Sequence, residues 1–278
     1  MLNNFYTIGA DPELFLFNTK TGKVVSAIDK IPGYKFCPYT EGLPEGFGLQ
    51  TDNILAEFNI PPVSYEEAFI HNIEFMKDFI RNKAKEIDAN YDILCQASAQ
   101  VPPKELRHPQ ALEAGCDPDY CIYQEGPNPP GKLNKTKLRS AGCHLHVGYL
   151  NNNIETSLKM LRYVDAVVGL TSILFDTDVE RRKLYGKAGC FRLTDYGFEY
   201  RTLSSYWIAD TDKLCFIWRQ LMYALYLYEN DASLPSKQLV QEIINNNNVE
   251  GAKQLIKNYN LFNPTQPNFD QLCAEYLA

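Results

Sequence analysis

The alternation of apolar and polar residues is clearest in residues 142–148, which read G-C-H-L-H-V-G. The apolar side chains occupy every second position, at Cys143, Leu145 and Val147. Because successive side chains of a β-strand point to opposite faces, this period predicts a strand with one buried face and with His144 and His146 together on the other. Such a histidine pair is either surface decoration with satisfied hydrogen bonds or part of a site.

Other segments show the short apolar runs of strands, bounded by turn residues. They are residues 5–17, 23–27, 47–50, 54–60, 93–97, 191–193 and 197–204. Residues 47–60 predict a hairpin with Asp52 and Asn53 at its tip. Pro61 and Pro62 are expected to end it, because proline cannot donate to a sheet ladder.

Three segments show the period of helices. Ser64 followed by Glu67 has the sequence of a capping box, and apolar residues continue as a stripe to residue 87, which predicts a long amphipathic helix. A second helix is predicted from Glu155 to about residue 185, and a third from about residue 210 to 228. Short helices are expected in the C-terminal quarter.

The order of these elements predicts the α+β class, with a mostly antiparallel sheet and helices packed on one side. Residues 30–46 and 101–137 are rich in proline and glycine and predict loops beside a site, the longer one on the substrate side. Neither a G-x-G-x-x-G nor a G-x-x-x-x-G-K-[ST] phosphate loop follows a predicted strand, so a bound nucleotide would use other groups.

Composition narrows the classes of function. The 278 residues include 45% hydrophobic and 13% aromatic residues, values of a globular protein with a sizeable core. A net charge of −7 argues against duplex nucleic acid as a partner and suits a site that collects divalent cations. No targeting or membrane-spanning pattern is evident, so a soluble, cytoplasmic protein of open oligomeric state is expected.

The eight cysteines contain no C-x-x-C pair, which argues against a zinc ribbon or a thioredoxin-like motif. Free thiols are therefore expected. A metal or redox role for the closest pair, Cys116 and Cys121, is the alternative.

Carboxylates occur in three further motifs on predicted strand segments. These motifs are Asp11 with Glu13, Asp52 with Glu57, and Glu199 with Arg201. Carboxylates and imidazoles that converge on one sheet face are ligands suited to Mg²⁺ or Mn²⁺. Carboxylates packed together would repel one another unless cations lay between them. For Asp11 alone, a turn-forming role before Pro12 is the alternative.

Basic residues cluster near a predicted turn at residues 186–189. They are Arg181, Arg182, Lys183, Lys187, Arg192 and Arg201. Guanidinium groups bind phosphate and carboxylate oxygens through paired hydrogen bonds, which suits a phosphate site. Arg181 and Arg182 can instead complement the dipole at the end of the predicted second helix.

Taken in order, these motifs resemble a known family. The segments are G-A-D-P-E-L, D-N-I-L-A-E-F-N-I-P-P, G-C-H-L-H-V-G, R-R-K-L-Y-G-K-A-G-C-F-R and G-F-E-Y-R-T-L-S-S-Y-W. Over about residues 5–207 the chain resembles the phage-encoded COOH-NH2 ligases (amidoligases) of the glutamine synthetase and glutamate-cysteine ligase superfamily.

The resemblance implies a glutamine synthetase-like funnel, an antiparallel β-sheet with helices packed on its outer face. It implies one domain over residues 1–278, with the catalytic sheet and loops in about 1–207 and a C-terminal helical extension in about 208–278. It also implies ATP together with two or three Mg²⁺ or Mn²⁺ ions, and the host cytoplasm as the location.

The resemblance further implies roles for individual residues. The implied metal ligands are Asp11, Glu13, Asp52, Glu57, His144 and Glu199. The implied nucleotide-binding residues are His146, Arg182, Arg192 and Lys187, and the implied catalytic residues are Arg201, Arg192 and Glu57. Which acid binds which ion stays open, since Asp11 stands where the family commonly has glutamate.

The expected reaction is ATP-dependent amide formation. A substrate carboxylate would attack the γ-phosphate to give an acyl phosphate and ADP, and an amine would then displace phosphate. The expected partners are small-molecule or peptide carboxylates and amines. Two alternatives use the same residues: a guanidino-type phosphotransferase or metal-dependent hydrolase on a related fold, and a metal-stabilised binding protein without catalysis.

Overall fold

The computed structural model describes residues 2–112, 119–128 and 136–266, and an antiparallel sheet forms its centre. The strands in these ranges are β1 (Tyr6–Asn18), β2 (Lys23–Val25), β3 (Gly48–Asp52), β4 (Leu55–Val63), β5 (Tyr91–Leu94), β6 (Ser98–Gln100), β7 (Tyr120–Cys121), β8 (Leu138–Ser140), β9 (Cys143–Tyr149), β10 (Cys190–Thr194) and β11 (Gly197–Tyr200). The main sheet has the order β3-β4-β1-β9-β11-β10-β7, and β2 and β5 pair with the second half of β1. Strands β6 and β8 form a separate pair.

Seven α-helices pack around this sheet in the described residues. They are α1 (Glu66–Ile87), α2 (Ile154–Val164), α3 (Leu170–Phe175), α4 (Val179–Leu184), α5 (Thr211–Glu229), α6 (Lys237–Asn245) and α7 (Val249–Asn258). The predicted α+β class with a large antiparallel sheet is therefore confirmed. Among the described residues, no helix is both long enough and apolar enough to cross a membrane.

The hydrophobic core lies between the sheet and the helices. On β9, Leu145 and Val147 are fully buried, as the alternating pattern predicts. They share one apolar cluster with Leu161 of α2 and Leu221 of α5. Removing a side chain of this size from water contributes roughly 1.5–3 kcal/mol to folding. This burial fixes which face of β9 the two histidines occupy.

Strand β4 differs from the prediction, because it continues through Pro61 and Pro62 to Val63. Two features explain why prolines fit there. Strand β3 begins at Gly48, opposite Asn59, so the outer edge of β4 is unpaired beyond that point. On the inner edge the register with β1 shifts at the same position, as it does at a β-bulge.

The start of α1 also differs from the prediction. The residue at the N-cap is Tyr65, and no side chain caps the helix. The predicted capping box of Ser64 and Glu67 is therefore wrong, and two acidic residues in the first turn, Glu66 and Glu67, complement the helix dipole instead.

The single helix predicted over residues 155–185 is broken into three. Residues Asp165–Gly169 form a π-turn between α2 and α3, and α4 is separate. The π-turn coincides with the buried Asp165, whose carboxylate accepts hydrogen bonds from Tyr200 Oη (2.7 Å) and Gly189 N (2.8 Å). The break before α4 arises because Asp178 caps that helix through Arg181 N (3.0 Å).

The predicted loop at residues 101–137 contains more structure than expected. Two 3₁₀ turns, Pro103–Leu106 and Pro109–Leu112, and the short β7 lie in it. Cys116 lies outside the described residues, so the suggested pair with Cys121 has no structural account. Among the described residues all cysteines are free thiols.

Candidate active site

One face of the main sheet carries a row of polar and charged side chains that crosses six strands. Cross-strand neighbours in this row are Gln50 with Glu57, Glu57 with Glu13, Asp11 with His144, His146 with Glu199, and Glu199 with Arg192. Because residues two apart share a face of a strand, Asp11 and Glu13 lie on this face together, as do His144 and His146. Asp52 shares a face of β3 with Gln50, the cross-strand neighbour of Glu57. The motifs, distant in sequence, therefore converge on one site.

The centre of the row is a cluster formed by Asp11, His144 and Glu199. His144 Nδ1 lies 3.0 Å from Asp11 Oδ1 and 3.2 Å from Glu199 Oε1. One ligand atom from each residue lies within 4.8 Å of the other two. Two carboxylates and an imidazole at this separation have the composition of a divalent cation site.

Two arginines bind the buried carboxylate of this cluster. Arg192 Nη1 lies 3.1 Å from Glu199 Oε2, and Arg201 donates to Glu199 Oε1. Burial alone would raise the pKa of Glu199, but hydrogen bonding to His144 and the charge of Arg201 hold it below its ordinary value. Glu199 is thus a charged group whose negative charge the protein itself compensates.

The surroundings of His144 also shift its pKa. Burial and Arg201 disfavour protonation of His144, but Asp11 and Glu199 outweigh them and raise its pKa to about 9. Burial alone would raise the pKa of Asp11, but the charges and hydrogen bonds of His144 and His146 hold it well below its usual range. In the protein without cations, a proton on His144 takes the place of positive charge between the two carboxylates.

The acids Glu13 on β1 and Glu57 on β4 accept hydrogen bonds from neutral groups. Gln50 Nε2 donates to Glu57 Oε2 at 2.6 Å, and Gly142 N donates to Glu13 Oε2 at 2.5 Å. Burial and the nearby charges of Asp11, Glu13 and Asp52 raise the pKa of Glu57 well above its ordinary value. Burial and Asp52 likewise raise the pKa of Glu13. Cations placed between these acids would relieve the repulsion, so the donor set fits divalent ions.

A cavity of about 270 Å³ opens over this row. The predicted site residues that line it are Asp11, Glu13, Asp52, Glu57, His144, Arg192 and Arg201. Glu199 lies beneath it, 2% exposed. All predicted metal ligands are therefore brought to one cavity or directly under it.

Other residues of this cavity were not among the predicted site residues. They include Lys35, Gln50, Asp119, Arg139, Arg181 and Tyr185. Lys35 comes from the loop at residues 30–46, which was expected beside a site. Arg181 belongs to the predicted basic cluster. Arg139 had no sequence signal, because the short strand β8 that carries it was not predicted.

Two predicted nucleotide-binding residues lie elsewhere. Arg182 and Lys187 line a second cavity, beside residues 245–247, and not the acidic one. Consecutive residues on a helix diverge by about 100°, so Arg181 and Arg182 on α4 cannot both face the same cavity. Arg181 faces the acidic cavity, whereas Arg182 Nη1 donates to Gly186 O at 3.2 Å.

His146 lies at the edge of the cluster. Its Nε2 is 3.4 Å from Asp11 Oδ2, and its Nδ1 lies 2.5 Å from Tyr196 Oη. The rings of His146 and Tyr196 are stacked with centroids 6.0 Å apart. The two histidines of the strand are therefore not equivalent, because only His144 contacts both Asp11 and Glu199.

Comparison with known proteins agrees with the predicted class of enzyme. Residues 135–265, slightly less than half of the chain, match the family described as Phage phiEco32-like COOH.NH2 ligase-type 2. The matched range includes His144, Arg192, Glu199 and Arg201, but it excludes β1 and β4 and extends into the C-terminal helices. It therefore overlaps the resemblance expected over about residues 5–207 only in residues 135–207.

The fold is similar to a solved structure described as a bifunctional glutathione synthetase from Pasteurella multocida. The TM-score is 0.52 at 12% identity, over 98% of this chain and 46% of that chain. This chain thus spans about half the length of that protein, and the likeness concerns the fold alone. No curated protein matches the sequence. Neither similarity supports placement in the glutamine synthetase superfamily.

Proposed function

We propose that this protein is an ATP- and Mg²⁺-dependent ligase that joins a carboxylate to an amine through an acyl phosphate. The observation that carries the proposal is the cluster of Asp11, His144 and Glu199 beneath a cavity, with Arg192 and Arg201 bound to its buried carboxylate. The family description of the match to residues 135–265 supports the same reaction class.

Divalent cations would be held by two groups of residues. Asp11, His144 and Glu199 would hold one ion, and Glu13, Glu57 and Asp52 would hold the others. When bound, Mg²⁺ or Mn²⁺ would neutralise the phosphate oxygens of ATP and make the γ-phosphorus more electrophilic. The raised pKa values of Glu13 and Glu57 support this assignment, because they show an acidic site that lacks positive charge.

Arg192 and Arg201 would stabilise the charge that develops on the transferring phosphoryl oxygens. Both reach the cavity, and both are held in position by Glu199. Donors that are fixed before the reaction stabilise a transition state without reorganisation at the moment of transfer. A substrate carboxylate, itself an anion, would also need these cations to approach ATP.

Glu57 would also act on the amine side. Its carboxylate faces the cavity from β4, across from the Glu199 cluster. The oxygen of Glu57 that does not bind an ion would attract an ammonium group and accept a proton from it, which produces the nucleophilic amine. The cavity walls, including Lys35 and Tyr185, would limit the access of water that would otherwise hydrolyse the acyl phosphate.

His146 would contact the nucleotide. Its stacking on Tyr196 at the edge of the cluster provides a flat aromatic surface beside the phosphate site. Its direct hydrogen bond to Tyr196 fixes the orientation of the ring. Arg182 and Lys187 take no part in this proposal, since they line the other cavity.

We retain as part of the proposal a glutamine synthetase-like funnel formed by one domain of residues 1–278. The antiparallel sheet with a polar face over a cavity supports the funnel. Leu221 of α5 and Ile256 of α7 belong to the same apolar cluster as the sheet, which supports a single domain. The phage origin named in the family description supports the host cytoplasm as location.

Trapping of the acyl phosphate with hydroxylamine tests the reaction. The purified protein would be incubated with MgATP, hydroxylamine and a panel of carboxylic acids, and hydroxamate and ADP would be measured. We expect equal amounts of hydroxamate and ADP for some acids, and none with Glu199→Gln. Glu242→Gln, an exposed substitution on α6, is the matched control and should retain activity.

Two outcomes would favour the alternatives. ADP formed without any acid and without hydroxamate would indicate a hydrolase or a phosphotransferase. Neither product with any acid, together with loss of folding in Glu199→Gln, would indicate a metal-stabilised protein without catalysis.

A further inference from the structure

A buried carboxylate outside the acidic cavity, that of Asp165, takes no part in the proposed reaction. Asp165 is fully buried and begins the π-turn Asp165–Gly169 between α2 and α3. Its Oδ2 accepts a hydrogen bond from Tyr123 Oη at 2.7 Å. Its Oδ1 accepts hydrogen bonds from Tyr200 Oη at 2.7 Å and from Gly189 N at 2.8 Å. All three donors are neutral groups.

The three donors belong to three neighbouring strands at one edge of the main sheet. Tyr200 is the last residue of β11, Gly189 immediately precedes β10, and Tyr123 lies two residues after β7. The order of these strands in the sheet is β11-β10-β7. Strand β7 is short, and two residue pairs join it to β10. One carboxylate thus ties together three strands, of which the outermost has little backbone pairing.

The same strands carry cavity residues on their other face. Because successive residues of a strand point to opposite faces, Tyr200 is directed towards the helices while its neighbours Glu199 and Arg201 are directed towards the cavity. Arg192 lies on β10 and Asp119 immediately precedes β7, and both line the cavity, as Arg201 does. Asp165 therefore holds, from the helix side, the strands that direct these side chains.

The sequence around Asp165 accommodates this contact. A Cβ at Gly169 would lie 2.7 Å from both Asp165 Oδ1 and Tyr200 Oη, so only glycine fits there. Gly189 has a φ of 63°, and a Cβ at this position would lie 2.8 Å from Tyr123 Cε2. The π-turn is itself a rare helix irregularity of a kind that often occurs at functional sites. Two glycines and an irregular turn thus make room for one carboxylate.

Stability alone does not account for Asp165. Burial raises the pKa of Asp165 above its ordinary value, although its three hydrogen bonds and the charge of Arg162 act in the opposite direction. A buried carboxylate costs free energy that a well-packed apolar side chain would not require. The carboxylate provides direction, because its two oxygen atoms accept three hydrogen bonds in a fixed geometry.

We propose that Asp165 is a positioning residue of the ligase, which holds β7, β10 and β11 in the arrangement that presents Arg192 and Arg201 to the transferring phosphoryl group. The inference rests on the proposed function and adds a residue outside the cavity on which that function depends. Asp165 contacts no reacting group, so its effect passes through Tyr200 and Gly189. Arginines that are fixed before the reaction stabilise the transition state, so a less firmly held β11 should lower kcat more than substrate affinity.

Variants that remove a single hydroxyl test this role. Tyr200→Phe and Tyr123→Phe each remove one hydrogen bond to Asp165 and keep the ring. In the hydroxamate assay, with the best acid of the panel, Tyr200→Phe should lower kcat at least about tenfold while the KM for MgATP stays within about threefold. Tyr123→Phe should lower kcat by about threefold, because β7 carries neither arginine.

Tyr163→Phe is the matched control. Tyr163 lies on α2, is 5% exposed and donates to Ala232 O at 3.0 Å, so the substitution also removes a hydrogen bond of a buried tyrosine. We expect its thermal midpoint to fall about as much as that of Tyr200→Phe, with kcat unchanged within about twofold.

Asp165→Asn tests whether the hydroxyl of Tyr200 acts through the carboxylate. We expect Tyr200→Phe to lower kcat by less than about twofold when it is added to Asp165→Asn, because coupled groups do not contribute additively. Should Asp165→Asn not fold, the comparison of Tyr200→Phe with Tyr163→Phe decides alone.

Hydrogen exchange followed by mass spectrometry gives a readout that is independent of activity. The amides of residues 189–201 should exchange at least about fivefold faster in Tyr200→Phe, the effect of one lost hydrogen bond, and those of residues 119–128 should do so in Tyr123→Phe. Tyr163→Phe should change the exchange of neither segment.

Three outcomes would overturn the proposal. Tyr200→Phe could lose no more activity than Tyr163→Phe, it could keep its full effect in Asp165→Asn, or exchange in both segments could stay unchanged in the two tyrosine variants. Failure of the ligase function is distinguishable. A wild-type protein that forms no hydroxamate would refute the reaction, whereas faster exchange in the two segments would still identify Asp165 as the residue that holds the three strands.

Discussion

The two halves of the acidic cavity carry buried carboxylates with opposite properties. In the half formed by β9, β10 and β11, Glu199 is bound by Arg192 and Arg201, and its pKa is lowered. In the half formed by β3 and β4, Glu57 accepts a hydrogen bond from the neutral Gln50, and the pKa of Glu57 is raised. The negative charge of the first half is compensated within the chain, whereas we expect that of the second half to be compensated by added cations.

The largest effect is expected from removing the compensating charge in the first half. Glu199→Gln would leave Arg192 and Arg201 beside a neutral group, and breaking a buried pair costs roughly 3–5 kcal/mol. Urea denaturation at pH 7, followed by circular dichroism, should show a fall of that size in the free energy of unfolding. A loss below about 1 kcal/mol would show that Arg192 and Arg201 do not compensate a buried charge on Glu199, and the difference between the two halves would be refuted.

Cation binding should stabilise the protein through the second half. A ligand at one hundred times its Kd adds about 2.7 kcal/mol to the free energy of unfolding, so MgCl2 should raise the thermal midpoint and EDTA should reverse the change. An equal response to NaCl at matched ionic strength would point to general screening and against a specific site.

Glu57→Gln should have a smaller effect of the opposite sign to Glu199→Gln. In metal-free buffer at pH 7 the substitution removes a carboxylate whose charge is disfavoured by burial and by Asp11, Glu13 and Asp52. We expect the free energy of unfolding to rise by about 1 kcal/mol. The same variant should lose the part of the stabilisation by MgCl2 that comes from the second half, and a destabilised variant with an intact Mg²⁺ response would contradict both statements.

The smallest effect is expected at the edge of the first half. Tyr196→Phe keeps the ring that stacks on His146 but removes the hydrogen bond to its Nδ1. Such a hydrogen bond contributes about 1 kcal/mol, so its loss should raise the Kd for MgATP roughly fivefold. Direct titration would measure it, and the response to MgCl2 alone should not change.

The sequence predicted the elements that depend on local periodicity. Strand β9 follows the alternation of Leu145 and Val147 with the two histidines, and the structure confirms it. The acids of β1, β4 and β11 lie on the expected face for the same reason. Residue spacing along a strand is sufficient for this kind of prediction, because it fixes the face without knowledge of the partners.

Features that depend on tertiary partners could not be predicted in this way. Pro61 and Pro62 stay within β4 because β3 begins opposite Asn59 and leaves the edge beyond it without a partner strand. The sequence of one strand does not show where its neighbour begins. The helix expected at residues 155–185 is interrupted at Asp165 because distant Tyr200 and Gly189 bind its carboxylate.

The positions of the arginines in the site also depend on tertiary structure and could not be predicted from the sequence. Arg181 and Arg182 are equivalent in composition, and only the orientation of α4 decides that Arg181 faces the acidic cavity. Arg139 reaches the cavity from a segment without periodicity and is held by carbonyl groups of residues 111, 136 and 138. Backbone carbonyls leave no residue-type signal in a sequence.

The acyl phosphate is tested most directly by oxygen transfer. An acid substrate labelled with ¹⁸O in its carboxylate would be converted with unlabelled MgATP and an amine, and the released phosphate would be analysed by mass spectrometry. If the carboxylate attacks the γ-phosphate and the amine then displaces phosphate, each phosphate should contain one ¹⁸O atom. Phosphate without the label would show that ATP is hydrolysed by water and would contradict the ligase mechanism.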